Sequence, residues 1–192
     1  MELFESIRLK IGATKLRKRA IKNKRTVVCK NFKFAKNIGI VWNALNAKEF
    51  QTLAKFHQQM KERNIDIQII GYYDGKNLPD KYTAIRYLSC IRKHETDLFY
   101  IPKSDETQSF IDKKFDVLID INFDKLFTLR YITILSNALF KVGLFESEDN
   151  SSPFDLMIEI KKPVSVDNYL QQVVQYLEMM NSNAIIEKNE NV

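Results

Sequence analysis

The sequence predicts an α/β fold in which a mainly parallel sheet has helices on both faces and is preceded by a basic amphipathic helix. Short apolar runs alternate with longer stretches of helical periodicity through most of the 192 residues, and this alternation is typical of βαβ units. The length fits one domain, and an apolar content of 45% with thirteen Phe is that of a globular protein. We therefore predict a three-layer, Rossmann-like domain.

The first helix is predicted from an apolar stripe within residues 3–22. Its members recur three or four positions apart and are Leu9, Ala13, Leu16 and Ala20, with Ile7, Ile11 and Ile21 widening the stripe. Gly12 interrupts the helix at a cost of about 1 kcal/mol relative to Ala. We divide the chain into a basic N-terminal helix, one α/β domain and a frayed tail, at residues 1–25, 26–181 and 182–192.

The remaining elements follow in strand–helix order. Apolar, partly β-branched runs predict strands at 37–43, 65–71, 115–121, 140–145 and 153–160. Helical periodicity predicts helices at 47–63, 104–114, 124–140 and from Val166 to Met180. Residues 81–103 are ambiguous, and "TDLFYI" (96–101) is a candidate short strand. The stripe of the last helix, with Tyr169 and Tyr176 beside it, is broad enough to serve a homodimer as well as the sheet.

Charge is distributed unevenly along the chain. Residues 1–48 contain thirteen Lys or Arg and two acids, a net charge of +11, whereas residues 49–192 contain seventeen Lys or Arg and twenty-two acids, a net charge of −5. Ten cations of the first part are candidate contacts to an anionic partner: Lys15, Arg17, Lys18, Arg19, Lys22, Lys24, Arg25, Lys30, Lys33 and Lys36.

Three interpretations of this basic stretch remain open. The cations could follow the phosphates of RNA or DNA, with Phe32 and Phe34 adding stacking rings. A basic amphipathic helix also suits an anionic membrane surface, although a stripe rich in Ala and without Trp would insert only shallowly. The third interpretation is a helix docked on its own acidic body with solvated lysines. We favour an anionic polymer, RNA or a ribonucleoprotein, over a peripheral membrane role.

A second candidate site lies at the carboxyl ends of the predicted strands, where ligands of α/β folds bind. Its polar side chains are Asn43, Asn46, Asp74, Asp120 and Asn122. Asp120, Asn122 and Asp124 could approach a hard cation, but residues at such positions more often form turns and helix caps. The five glycines are isolated, so neither a GxGxxG loop nor a phosphate-binding loop is present.

No catalytic, metal or cofactor site can be named from the sequence. The two histidines, His57 and His94, and the two cysteines, Cys29 and Cys90, lack the spacing of zinc sites or catalytic triads. We expect free thiols. The chain has no apolar run long enough to span a bilayer, and its first ten residues are unlike a secretory signal. We therefore expect a cytoplasmic protein.

Three segments carry a resemblance to known proteins: "AKNIGIVWNA", "FDVLIDINFDKLFTLRYITILSNALFKVGLF" and "FDLMIEI". With the basic front helix, they make the chain resemble a family of small uncharacterised bacterial proteins, which implies an α/β fold and brings no known activity. The second segment is also similar to the acceptor-side half of heptosyltransferase-type glycosyltransferases. There too, a strand leads to a helix and then to a short glycine-containing strand, which supports the same fold.

The sequence therefore predicts a non-catalytic α/β domain recruited to RNA or a ribonucleoprotein through its basic N-terminal helix. The alternative is a small Rossmann-like enzyme or binding protein that holds a phosphorylated or sugar ligand at the strand ends.

Overall fold

A computed structural model describes residues 2–145 and 152–180. Six strands in these residues form one sheet in which every pair of neighbours is parallel. They are β1 (Asn37–Asn43), β2 (Asp66–Tyr73), β3 (Leu88–Arg92), β4 (Val117–Ile121), β5 (Lys141–Leu144) and β6 (Leu156–Ile158). Their order is β3-β2-β1-β4-β5-β6, so the sheet grows in one direction from β1 to β3 and in the other from β4 to β6. This confirms the parallel, Rossmann-like prediction.

Helices cover both faces of the sheet and confirm the three-layer arrangement. They are α1 (Glu2–Ala20), α2 (Glu49–Glu62), α3 (Asp80–Thr83), α4 (Asp105–Asp112), α5 (Phe127–Leu135) and α6 (Val166–Met179). Helices α2, α3 and α6 supply buried side chains to the core on one face, and α1, α4 and α5 supply them on the other. Two short 3₁₀ helices lie at Phe32–Phe34 and Lys93–Glu95.

The central strand β1 shows why the fold was recognisable from the sequence. Its side chains alternate between the two cores, with Ile40 and Trp42 in one and Val41 in the other, and six of its seven residues are buried. A strand covered on both faces gives a continuous apolar run rather than an alternating one. Gly39 is required for space, because a Cβ there would lie 2.8 Å from the Phe115 ring.

Strand β3 is the strand that the sequence did not predict. It forms one edge of the sheet, and only two of its five residues are fully buried, so its apolar pattern is weak. The candidate strand at 96–101 is instead a turn, in which the Asp97 carboxylate accepts hydrogen bonds from the backbone N–H groups of Phe99 and Ile101 at 2.7 and 3.0 Å. A single antiparallel bridge, Thr96 to Pro102, closes it.

Helix α1 docks through a narrower stripe than expected. Leu16 is buried, whereas Ile7, Ile11 and Ile21 remain exposed. Gly12 faces the body of the protein, and a Cβ at this position would lie 2.6 Å from the carbonyl oxygen of Phe99. The absence of a side chain at Gly12 therefore allows α1 to pack closely against the Phe99 backbone, in addition to the cost that glycine has for the helix itself.

After α1, the chain passes around the edge of the sheet at which the strands begin. We call residues 21–36 the connecting segment, and the rim where the six strands begin the amino-terminal edge. Asn23 donates from its side chain to the Leu135 carbonyl at the end of α5, at 2.6 Å. On the opposite face, Asn31 donates to the Glu178 carbonyl of α6 at 2.7 Å. The connecting segment thus crosses this edge from one face to the other before β1 begins.

The stripe of α6 is used by its own domain. Val173 and Leu177 are fully buried, as is Tyr169, while Tyr176 and Met179 remain exposed. A homodimer through this helix stays a prediction. The predicted frayed tail lies outside the described residues. Within residues 2–145 and 152–180, no helix combines the length and the apolar character needed to cross a bilayer.

We predict that Gly12→Ala destabilises the protein, although Ala favours a helix by about 1 kcal/mol over Gly. The new methyl group would collide with the Phe99 carbonyl and the Phe127 ring, and such overpacking typically costs about 1–3 kcal/mol. Urea denaturation should give a lower free energy of unfolding than for the unmodified chain. Ala13→Gly, at the neighbouring exposed position, measures the propensity effect alone. A more stable Gly12→Ala protein would contradict this packing.

Candidate nucleic-acid interface

Arg25 is the one predicted contact whose guanidinium is bound tightly inside the protein. It pairs with both carboxylate oxygens of Asp155, at 2.6 and 2.7 Å, and donates to the carbonyls of Ala138 and Leu139 at 3.3 Å. The side chains of Arg25 and Asp155 are only 13% and 3% exposed. The backbone N–H of Lys141 also donates to Asp155, at 2.8 Å. This bidentate pair joins the connecting segment to the start of β5 and β6.

Lys30 makes the second internal ion pair. Its Nζ lies 2.5 Å from the carboxylate of Asp116, which also accepts from the backbone N–H groups of Lys36 and Asn37 at 2.7 and 3.2 Å. The Lys30 side chain is 38% exposed. Asp116 therefore lies at the amino-terminal edge and fixes the entry of the chain into β1, far from the strand ends that bind ligands in such folds.

Two further cations rest on aromatic rings of the body. The Nζ of Lys15 lies 3.9 Å from the ring centroid of Phe99. The Cζ of Arg19 lies 5.9 Å from the ring centroid of Tyr131, and its guanidinium donates to the Tyr131 hydroxyl. Burial raises the pKa of Tyr131, an effect that the charge of Arg19 partly offsets. Both cations remain exposed, so the rings orient them without neutralising their charge.

The other six predicted contacts extend into solvent. They are Arg17, Lys18, Lys22, Lys24, Lys33 and Lys36, and each is exposed. Within the described part of the chain, none of them forms an ion pair with a carboxylate. Of the two candidate stacking rings, Phe34 is 62% exposed and available, whereas Phe32 is fully buried. The positive charge of this region is therefore largely presented to solvent.

The strand-end candidates divide into separate groups. Asn43, at the end of β1, and Asn46 both donate from their side-chain amides to Asp124, at 2.6 and 3.2 Å. These residues lie where the strand order reverses, the position at which related folds bind nucleotides. Here the anion held by the two amides is the protein's own carboxylate. Burial and the nearby Asp124 charge raise the pKa of Glu49, which accepts from the Trp42 indole at 2.9 Å.

Asp120 and Asn122 line a different space, between the ends of β4 and β5. Asp120 is buried, accepts a hydrogen bond from the Thr133 hydroxyl, and accepts another from the backbone N–H of Asn122 at 2.7 Å. Asn122 in turn bridges to the backbone of Leu126, which begins the turn into α5. The cavity beside them has a volume of about 50 Å³, a few water molecules at most.

Asp74 lies apart from both groups, with its carboxylate 2.9 Å from the Nζ of Lys93. The five strand-end candidates therefore do not converge on one cavity. Among residues 2–145 and 152–180, no three His, Cys, Asp or Glu side chains are grouped as metal ligands would be. Cys29 and Cys90 form no disulfide. Burial, helped by the charges of Glu106 and Glu95, raises the pKa of Cys90 to about 12, which suppresses its nucleophilic form.

The cations that precede β2, β3 and β4 were not among the predicted contacts. Lys61, Arg86 and Lys113 lie in three separate stretches of the acidic part of the chain, yet all three line one cleft at the amino-terminal edge. A signal was present, because each stretch that leads from a helix into a strand of a parallel sheet ends at this edge.

We predict that Arg25→Gln lowers the free energy of unfolding by about 3 kcal/mol, because it leaves the buried Asp155 carboxylate without its cation. Lys24→Gln is the matched control, since the neighbouring Lys24 is exposed and without a described carboxylate partner, and it should change stability by less than about 0.5 kcal/mol. Chemical denaturation measures both. Equal, small effects would show that Arg25 has no structural role.

Comparison with known proteins assigns the chain to a family but gives no activity. No curated protein matches the sequence. A model of a family of unknown function matches residues 8–180 and so spans most of the chain, including α1 from its second turn and all six strands. The protein belongs to this family of unknown function, DUF6913.

Proposed function

We propose that this protein binds RNA, alone or within a ribonucleoprotein, through the cations of α1 and the connecting segment. The observation that carries the proposal is the contrast within the ten predicted contacts. Arg25 and Lys30 neutralise buried acids, while the other eight are exposed and pair with no carboxylate that the structure describes.

The two groups have complementary roles. Arg25 and Lys30 hold the connecting segment against the sheet, so the neighbouring Lys24, Lys33 and Lys36 project from a fixed path. A fixed row of cations loses less conformational entropy when it binds a polyanion than a disordered tail would. Phe34, exposed between Lys33 and Lys36, supplies a ring on which a base can stack.

A membrane surface fits the same cations less well. An interfacial helix needs an apolar face along its length with cations beside it. In α1 the most exposed apolar side chains, Leu3 and Phe4, lie in the first turn, whereas the cations concentrate in its second half and continue through the connecting segment. Leu16, in that second half, is already buried against the body.

The alternative function, a phosphorylated or sugar ligand at the strand ends, has less support. The amides of Asn43 and Asn46 are bound to Asp124, and Glu49 adds a second carboxylate nearby. Two acids at this point disfavour an anionic ligand. An RNA partner also agrees with the expected cytoplasmic location, which remains part of the proposal.

The test compares two variants that each lose four positive charges. The first replaces Arg17, Lys18, Lys22 and Lys24 with neutral Gln. The matched control replaces Lys76, Lys103, Lys161 and Lys162, which are also exposed but lie in loops that follow strands, away from the connecting segment. Binding to a fluorescent single-stranded RNA is measured by anisotropy at several salt concentrations.

We expect the unmodified protein to bind with a dissociation constant of roughly 10⁻⁴–10⁻⁶ M at physiological salt and with a steep salt dependence. The first variant should lose most of this binding, and its slope of log K against log salt should be shallower by about 3, because each lost phosphate contact removes about 0.7. The control should bind as the unmodified protein does. Equal losses in both variants, or binding to anionic vesicles without binding to RNA, would refute the proposal.

A further inference from the structure

The amino-terminal edge carries an open cleft that lies outside the predicted basic stretch. Its volume is about 350 Å³, within the usual range for sites that take a small molecule or one unit of a polymer. Six of its lining residues bear charge or an aromatic ring: His57, Lys61, Asp66, Arg86, Tyr87 and Lys113. They come from α2, from β2 and from the stretches that lead into β3 and β4.

Two of these residues form a stacked pair of rings. The centroids of His57 and Tyr87 are 3.6 Å apart and their planes are inclined by 13°. Both side chains are partly exposed. Burial, and then the charge of Lys61, lowers the pKa of His57 and so favours the uncharged imidazole.

The charges around the rings favour an anion. Lys61 and Arg86 are exposed, and the Nζ of Lys113 lies 5.1 Å from the ring centroid of Phe115. In the part of the chain that the structure describes, none of these three cations forms an ion pair. Asp66 is the one acid among the lining residues, so the cleft has three positive charges against one negative.

The cleft adjoins the connecting segment directly. The backbone N–H of Asp66 donates to the carbonyl of Lys36 at 2.8 Å, so the last lysine of the connecting segment borders the first residue of the cleft. A bound RNA strand that follows Lys33 and Lys36 along the amino-terminal edge would next reach Lys61 and Arg86 at the same edge. The edge thus provides a row of cations that ends at a stacked aromatic pair.

We propose that this cleft binds an unpaired nucleobase of RNA against the Tyr87–His57 pair, with the phosphates beside that base held by Arg86 and Lys61. This inference rests on the proposed RNA-binding function and adds to it a preference for single strands. In a duplex the bases are already stacked inside the helix, so only an unpaired base can enter an aromatic site.

The test is a ring deletion at Tyr87, measured on single-stranded and duplex RNA of equal length. Tyr87→Leu keeps an apolar side chain for the core, which Tyr87 also contacts, and removes the stacking surface. We expect about tenfold weaker binding of the single strand, the order of one lost base–aromatic stack. Duplex binding, which depends on phosphate contacts alone, should be unchanged. Tyr87→Phe retains the ring and should restore single-strand binding to within about twofold of the unmodified protein.

A second variant tests the cleft even if Tyr87→Leu does not fold. Lys61→Gln with Arg86→Gln changes exposed side chains only and should make the single-strand salt slope shallower by about 1.4, for two lost phosphate contacts. If Tyr87→Leu is folded and binds the single strand normally, or if the double variant keeps the full slope, the cleft is not a binding site. The RNA-binding function still stands in that case if the Arg17, Lys18, Lys22 and Lys24 variant loses binding. Absence of RNA binding by the unmodified protein would overturn both proposals.

Discussion

The ion pair between Arg25 and Asp155 fixes the path of the connecting segment along the amino-terminal edge. The first strand of this fold lies in the centre of the sheet, and the helix before it packs on one face. The chain must therefore pass around the amino-terminal edge to enter β1. Arg25 holds that path against the start of β5 and β6, and Lys30 with Asp116 holds it against β4. A basic stretch that could have been a loose arm becomes part of the folded surface.

The two edges of the sheet, at the carboxyl ends and at the amino ends of the strands, differ in their chemistry. At the carboxyl ends, Asn43 and Asn46 bind the internal carboxylate of Asp124, and the adjoining cavity is small. At the amino ends, lysines of the connecting segment and cations that precede β2, β3 and β4 face solvent together. The domain has the strand order of nucleotide-binding folds, yet the exposed lysines of the connecting segment lie at the opposite edge.

Much of the fold could be predicted from the sequence, because parallel strands that are buried on both faces have continuous apolar sequences. The boundaries predicted for β1 agree with the structure, since all but its first residue are buried. Strand β3 was not predicted, because an edge strand is covered on fewer sides and needs fewer apolar residues. Helix propensity predicted that Gly12 only weakens α1, because propensity describes an isolated helix. The need for glycine at this position comes from the carbonyl of Phe99, 87 positions away in the sequence. The charge excess was visible, but its division into structural and exposed cations was not. That division depends on which lysines and arginines meet Asp116 and Asp155 in space.

We propose that RNA lies along the amino-terminal edge of the sheet. Mapping the accessibility of individual lysines to an acylating reagent, with and without single-stranded RNA, tests it most directly. We expect RNA to protect Lys24, Lys33, Lys36 and Lys61, while Lys76 and Lys161 react equally in both conditions. Protection of Lys76 and Lys161 with no change at Lys33 and Lys36 would contradict it.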